Sequence, residues 1–585
     1  TFEINCSLVL LPKEPMQSRY FDERVGYFTS NYTDFDKNPQ GIKTIRMIAR
    51  WRLEPKPEDM EKYLRGELVE PAKPIVYYID PTTPKEWVPY LIQGVNDWQP
   101  VFEKAGFKNA IYALEAPTPE EDPTWSLEDA RNSAIVYKPS TIANASGPHV
   151  SDPRSGEVIE SHINWYHNVM SLVHDWYFVQ CAAVDPQARS MKFSQELMGQ
   201  LIRFVSSHEV GHTLGLRHNF GATAYYTAEQ LRDPEFLKAN GHTTSIMDYS
   251  RFNFVAQPED NIPQELLCPR ISHYDFWAIE WGYRRFYQFK TPEEELPFLN
   301  QWTIDHVKNP FLRFNGGAES GLNDPRAQSE DLGANQMETC ELGIKNLKVI
   351  VANLPEWTKE PNQNYQSLTT MYPQITSQFN RYIGHVSKWI GGVYADYKTV
   401  EQDGPVYCPV SKADQKTAMS FLNRNIFNTP MWLLPDYMFD LMPASRLSII
   451  ENLQTSAIEG LVNANVLVRM LRAEEQLDSQ AYSTDEFFTD LSRYIFGNYS
   501  DTDIYRRSLQ NIYVNTLCKM VKPDEPKGNE ALPVMRMRTA SIENNDIKGI
   551  VTSQLNKIAK NLKKAGGDER SKVHYQYLYK QISDL

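Results

Sequence analysis

At 585 residues the chain is too long to close around one hydrophobic core, and two to four domains are expected. Its 12% aromatic content excludes a solvated, disordered chain, and no apolar run reaches the length of a membrane span. With 60 basic against 74 acidic side chains, net −14, and no basic stretch interleaved with aromatics, the balance argues against a nucleic-acid partner.

Residues 1–54 read as β-structure, with alternating segments at 8–11, 25–29 and 42–53 between turns bearing Pro, Asn and Gly. The opening TFEINCSLVLLP lacks a basic n-region and a small-residue cleavage site. It reads as a strand entered midway in a mature or trimmed chain, not as a signal peptide. A charged stretch leads to PIVYYID, a short strand, and then to 87–102, where Trp87, Leu91, Val95, Trp98 and Phe102 recur near helical spacing. Gly106 is placed to cap that helix. NSAIVYKPS reads as a strand, and ASGPHVSDPRSGEVIESHINWY as two strands joined at DPRSG. Helices are expected at 169–183 and 193–211, and this order implies a mixed sheet with helices packed on it. Beyond about residue 290, amphipathic helical patterns dominate, at 342–352, 367–388, 414–428, 444–471, 484–496, 503–520 and 542–565. The six cysteines are scattered with no CxxC pair, which excludes a zinc ribbon and a local redox motif.

The segment SSHEVGHTLGLRHNF carries the chemistry. Helix positions four apart share a face, so His208 and His212 can present two ring nitrogens to one ion. Glu209, one residue further round, can reach a water there without being a ligand. Gly215 permits a backbone turn that a Cβ would resist, and the turn returns His218 as a third ligand. Three neutral nitrogens leave one tetrahedral position open, as in a catalytic rather than a structural zinc site. One Zn2+ is the expected cofactor, held more weakly in acid because the rings must be neutral to bind it. His162, His167 and His174 read as packed or solvated, with a second metal site as the lesser alternative. His273 begins a helix, and Asp275 is placed to cap or brace it.

Met247 lies 29 residues after His218, in TTSIMDYSRF. The extended zinc motif followed by a Met-bearing turn resembles the metzincin clan of zinc metallopeptidases, which implies Met247 as an apolar floor beneath the metal. SIMDY is similar to the Met-turn of astacins and serralysins. That likeness makes Tyr249 a candidate to approach the metal or to donate a hydrogen bond to the transition-state oxyanion. Asn219, directly after the third histidine, departs from the Glu, Asp and Pro found there in astacins, adamalysins and serralysins. The stretches YFDERVGYF, DPRSGEV, SIMDYSRFNFVAQPED, YDFWAIEWGY and DPRAQSEDLGANQ look like the large zinc-dependent metalloproteases common in Bacteroidetes. In those proteins domains of unknown function flank a metzincin core.

Residues and resemblance together imply an α+β chain. Its expected parts are an N-terminal β-rich segment at 1–70, a metzincin-like catalytic domain at 71–290, and a mainly helical C-terminal domain at 291–585. The catalytic domain would hold a mixed twisted sheet, the active-site helix and the Met-turn. The resemblance further implies an exported enzyme, periplasmic, cell-surface or secreted. Its peptide or protein substrate would lie along an edge strand near 145–153, with Glu209 as general base towards a zinc-bound water. Two alternatives stand beside an endopeptidase: a zinc exopeptidase with a closed cleft, and a binding or scaffold protein with a vestigial zinc site. The intact Glu209 argues against the latter. The sequence sets no oligomeric state.

Overall fold

The computed structural model describes residues 6–522 and 546–585. It is a mixed α+β chain of two compact units. One comprises the chain up to Leu322 with Arg326–Asn335 and Tyr397–Gly404; the other comprises Asn323–Pro325, Gln336–Asp396 and Pro405–Leu585. No helix among the described residues is long and apolar enough to cross a membrane.

In the first unit β1 (Thr29–Asp34) pairs antiparallel with β2 (Lys43–Ile48), and β3 (Arg50–Trp51) follows. Then come α1 (Met60–Leu64), β4 (Ile75–Ile79), α2 (Val88–Asn96), α3 (Gln99–Glu103), β5 (Ile111–Glu115) and β6 (Ser133–Lys138). Four short strands follow: β7 (Ala145–Ser146), β8 (Val150–Ser151), β9 (Glu157–Glu160) and β10 (His162–Tyr166). Helices α4 (Val169–Cys181), α5 (Gln195–Thr213), α6 (Pro234–Asn240), α7 (His273–Tyr283) and α8 (Pro292–His306) complete the unit.

The main sheet has the order β5-β4-β6-β10-β7. Its first four strands are parallel, and β7 pairs antiparallel with β10 at the edge. Ile75, Tyr77 and Ile79 alternate inward on β4, the period-two pattern of a strand whose faces differ in burial. Helix α2 lies against α5, where Ser206 Oγ donates to Leu91 O at 3.0 Å. The fully buried Trp98 anchors the next turn by donating its indole N–H to Ser207 O at 2.9 Å.

The second unit is mainly helical. It holds α9 (Gln336–Trp357), α10 (Gln366–Ser387), a hairpin of β11 (Val393–Ala395) and β12 (Tyr407–Pro409), and α11 (Lys412–Leu422). Then follow α12 (Asp436–Phe439), α13 (Arg446–Leu461), α14 (Ala464–Leu477), α15 (Thr484–Phe496), α16 (Ile504–Val521), α17 (Ile547–Leu562) and α18 (Glu569–Ser583).

Several expectations are corrected. Residues 8–11 form no strand; Leu8 and Leu10 are exposed, so their alternation has no partner to pack on. The helix expected at 87–102 is interrupted at Asp97–Trp98 and becomes α2 and α3. The pattern at 444–471 divides because Asn463 accepts the Val466 amide at 3.1 Å and starts α14 anew. The pattern at 414–428 closes on a π turn, Asn423–Phe427. The helix expected at 542–565 corresponds to α17, and residues 542–545 lie outside the described residues. Strand β5 and helices α8 and α18 were not anticipated.

Candidate active site

Helix α5 starts at Ser194, whose hydroxyl accepts the Leu197 amide at 3.1 Å. At its other end the Trp51 indole donates to Thr213 O at 3.0 Å and the Tyr283 hydroxyl to Leu214 O at 2.8 Å. These bonds satisfy carbonyls that a helix terminus leaves open. Gly215 follows at φ 95°, and a Cβ there would stand 2.0 Å from Ala49 O, so only glycine lets the chain turn. The backbone then joins the N-terminal segment, Phe28 N–H donating to Gly215 O at 2.7 Å and Arg217 N–H to Gly26 O at 2.8 Å. The turn brings His218 back beside His208 and His212.

One ligand atom from each of the three histidines lies within 4.8 Å of the others. Each ring is aimed by its second nitrogen. His208 Nδ1 is 2.7 Å from Ile246 O, His212 Nδ1 2.9 Å from Leu216 O, and His218 Nδ1 2.8 Å from Glu319 Oε1. All three partners are acceptors, so the network assigns each neutral ring's proton to Nδ1 and leaves Nε2 a lone pair. His212 Nε2 and His218 Nε2 face each other at 3.1 Å, and the buried His208 Nε2 has no hydrogen-bond partner. Lone pairs so close repel unless a cation lies among them, and a buried acceptor with no donor is destabilising. The donor set therefore suits a zinc ion. Burial also favours the neutral, ligating form: it pushes His208 well below its ordinary value and His212 to about 3.

Glu209 is buried beside this cluster. Burial pushes its carboxyl up to about 7, against the opposing pull of a hydrogen bond from the Gly147 amide and of the Arg251 charge. Gly147 follows edge strand β7 and runs hard against α5; a Cβ there would stand 2.4 Å from Glu209 O. Met247 is fully buried, its sulfur filling the space at Gly211, where a Cβ would come within 2.2 Å of it. Asp275 fixes the turn carrying Met247, accepting from Ser245 Oγ at 2.6 Å and Ile246 N–H at 2.8 Å. It also accepts from Ser272 N–H at 2.9 Å, which caps α7. The Tyr249 ring centroid is 4.2 Å from that of His218 and 5.2 Å from that of His208.

Residues 190–503, more than half of the chain, match a family described as Met-zincin, and residues 1–56 match a domain of unknown function (DUF5117). The chain belongs to the Met-zincin family. No curated protein and no solved structure matches it. Family and histidine triad together place this Met-zincin among the zinc metallopeptidases by class, with peptides as the substrates the family implies. Both matched segments build the site, since Gly26, Phe28, Ala49 and Trp51 fall in the first and the zinc motif in the second.

Sequence reasoning missed part of the Met-zincin site. Glu319, which holds His218, comes from a 3-10 turn, Gly317–Ser320, 101 residues downstream. Asn219, the residue that departs from other metzincins, anchors the approach to that turn. Its Nδ2 donates to Arg313 O at 3.0 Å, its Oδ1 accepts from Asn315 N–H at 2.9 Å, and its own N–H donates to Met247 O at 3.1 Å. Arg251 lies between two rings, its guanidinium carbon 3.5 Å from the Trp176 centroid and 4.3 Å from that of Tyr249. It also faces Glu330 at 3.5 Å, and Glu330 N–H donates to Tyr249 O at 2.8 Å. Arg251 at φ 55° and Glu330 at φ 65° are both left-handed, a strain that side chains with a Cβ tolerate where surrounding contacts fix them. No spacing in the sequence marks either residue.

The histidines that the sequence set aside, His162, His167, His174 and His273, do not join the triad. His162 Nε2 is 2.9 Å from Asn132 O, His167 Nδ1 bonds the Tyr137 hydroxyl, His174 Nδ1 is 3.0 Å from Asp175, and His273 Nε2 is 3.1 Å from Asn240 Oδ1. Among the described residues the triad is the one group of three that could hold a metal.

Proposed function

We propose that this Met-zincin is a zinc-dependent endopeptidase, with His208, His212 and His218 as ligands, Glu209 as general base and Met247 as the floor of the site. The observation that carries this reading is the convergence of three inward Nε2 lone pairs beside one buried carboxylate, next to an antiparallel edge strand. Zinc held there would supply Lewis-acid polarisation of the scissile carbonyl and a more acidic water. Strand β7 and the residues after it offer main-chain groups to an extended peptide, which needs no free terminus to pair in this way. This favours internal cleavage over trimming.

Glu209 takes the proton of the attacking water and returns it to the leaving amine nitrogen. Its burial raises proton affinity towards neutrality, which suits a group that must both accept and donate. Burial pushes the Tyr249 hydroxyl up to about 12, so it stays protonated and can donate to the oxyanion as negative charge develops there. An exported location rests on the resemblance to the Bacteroidetes metalloproteases.

Mass spectrometry of a casein digest tests the reading, with Glu209→Gln as control. Internal fragments made by the zinc-loaded protein and absent with the variant are expected. Stepwise shortening from one end would replace the endopeptidase with an exopeptidase, and equal digestion by both proteins would remove Glu209 from the mechanism.

A further inference from the structure

A cavity of about 720 Å³ borders the histidine cluster. Phe28, His149, Arg217, Phe314 and Glu319 line it, together with the backbone at Gly147. Three contacts tie it to the reacting centre. Phe28 lies 5.9 Å, centroid to centroid, from His212; Gly147 abuts the backbone of Glu209; and Glu319 holds His218. A peptide lying along the edge strand past Gly147 therefore has this cavity beside its scissile bond.

The charges in the cavity are not equally engaged. Arg46 is 3.8 Å from Glu23, and both are well exposed at the rim. Glu319 feels the charge of Arg217 but bonds His218 through Oε1. His149 is held neutral by burial, 5.8 Å from the Phe28 ring. That leaves Arg217. Its guanidinium carbon sits 5.8 Å from the Phe314 ring, and no carboxylate among the described residues forms an ion pair with it. It is half-buried, always charged, and directly precedes the third histidine. A cationic fork between aromatic walls selects a carboxylate, which it can bind through two parallel hydrogen bonds.

Given the zinc-peptidase reading, on which this rests, we infer that the cavity is a subsite for a substrate carboxylate, with Arg217 as the residue that reads it. The carboxylate is an Asp or Glu side chain next to the cleaved bond, or the C-terminal group of a short peptide.

The test digests a defined peptide mixture with the full zinc-loaded chain and maps every cut by mass spectrometry, alongside Arg217→Gln and Arg217→Glu. Wild-type cuts should be enriched for Asp or Glu at one position flanking the bond. The preference for acidic over amide side chains there should drop about 10- to 100-fold in Arg217→Gln, as expected for loss of a charge-assisted hydrogen bond. Arg217→Glu should turn the preference towards Lys and Arg, a gain that a misfolded variant could not produce. Cuts confined to the last residues and abolished by C-terminal amidation would identify the terminal carboxylate; internal cuts indifferent to amidation would identify the side chain. Cleavage without acidic preference, or a preference unchanged in both variants, overturns the subsite and leaves the peptidase standing. If nothing is cleaved, the peptidase reading falls. Fluorescence anisotropy of a labelled Glu-containing peptide and its Gln twin on Glu209→Gln protein then decides the subsite. Tighter binding of the Glu peptide that is lost when Arg217→Gln is added supports it, and equal binding of the two peptides overturns it.

Discussion

Glu319 and the Arg251–Glu330 pair show how single residues far from the zinc motif finish the site. A carboxylate on the remote nitrogen of a metal-binding histidine fixes its tautomer and its angle and raises its basicity. Burial works to raise the Glu319 carboxyl, but the hydrogen bond with His218 and the nearby Arg217 charge bring it below its ordinary value. Glu319→Ala should therefore weaken zinc affinity by about 10- to 100-fold, with Glu319→Gln intermediate. Competition with a chromogenic chelator measures this without any substrate. An affinity unchanged in both variants would make the contact incidental. Arg251 and Glu330 act one step further out, holding Tyr249 from its ring face and from its backbone.

At the scale of elements, the loop between α6 and α7 carries the Met-turn and responds to acid. His242 is buried there, its Nε2 3.2 Å from Arg251 O and 3.3 Å from Ser250 Oγ. Burial pushes its pKa down to about 4, against the raising effect of the Arg251 carbonyl. A histidine depressed on folding contributes stability that is fully present above its unfolded value of about 6.5, because both states are then neutral. Below that the unfolded chain gains the proton first, and about 3 kcal/mol is lost as pH falls from about 6.5 to 4. Thermal melts of the zinc-loaded protein should thus decline over this window, and His242→Gln should decline less. Parallel pH profiles for the two proteins would refute the assignment. What was readable from sequence at this scale was what is local. His208, Glu209, His212, Gly215 and His218 sit on one helix and its turn, so spacing alone fixes their geometry. Strand β5, by contrast, is a five-residue run flanked by β4 alone; so short an apolar segment carries no period that separates strand from helix.

For the whole molecule, the division into two compact units makes zinc a probe of the one that holds the triad. Ligand binding stabilises the folded form by RT ln(1 + [L]/Kd), about 4 kcal/mol at a thousand times Kd. Calorimetry should show two transitions, of which chelation lowers only the one belonging to the unit that holds the triad. A single transition that moves as a whole would show that the units unfold together. The mainly helical second unit was legible because α10, α15 and α17 carry strongly periodic apolar faces. Glu319, Arg251 and Glu330 were not, since each owes its place to contacts distant in sequence rather than to any neighbour spacing.

The distance between His218 and Glu319 also has a meaning in time. A ribosome adding about 5–20 residues per second needs about 5–20 s to travel the 101 positions that separate them. During that interval the growing chain already carries HEVGH and the third histidine but lacks the group that steadies it, as well as Glu330 behind Tyr249. The nascent chain thus spends its synthesis with an unfinished metal cradle, and the full grip expected on zinc arrives only after the segment that follows α8 has emerged.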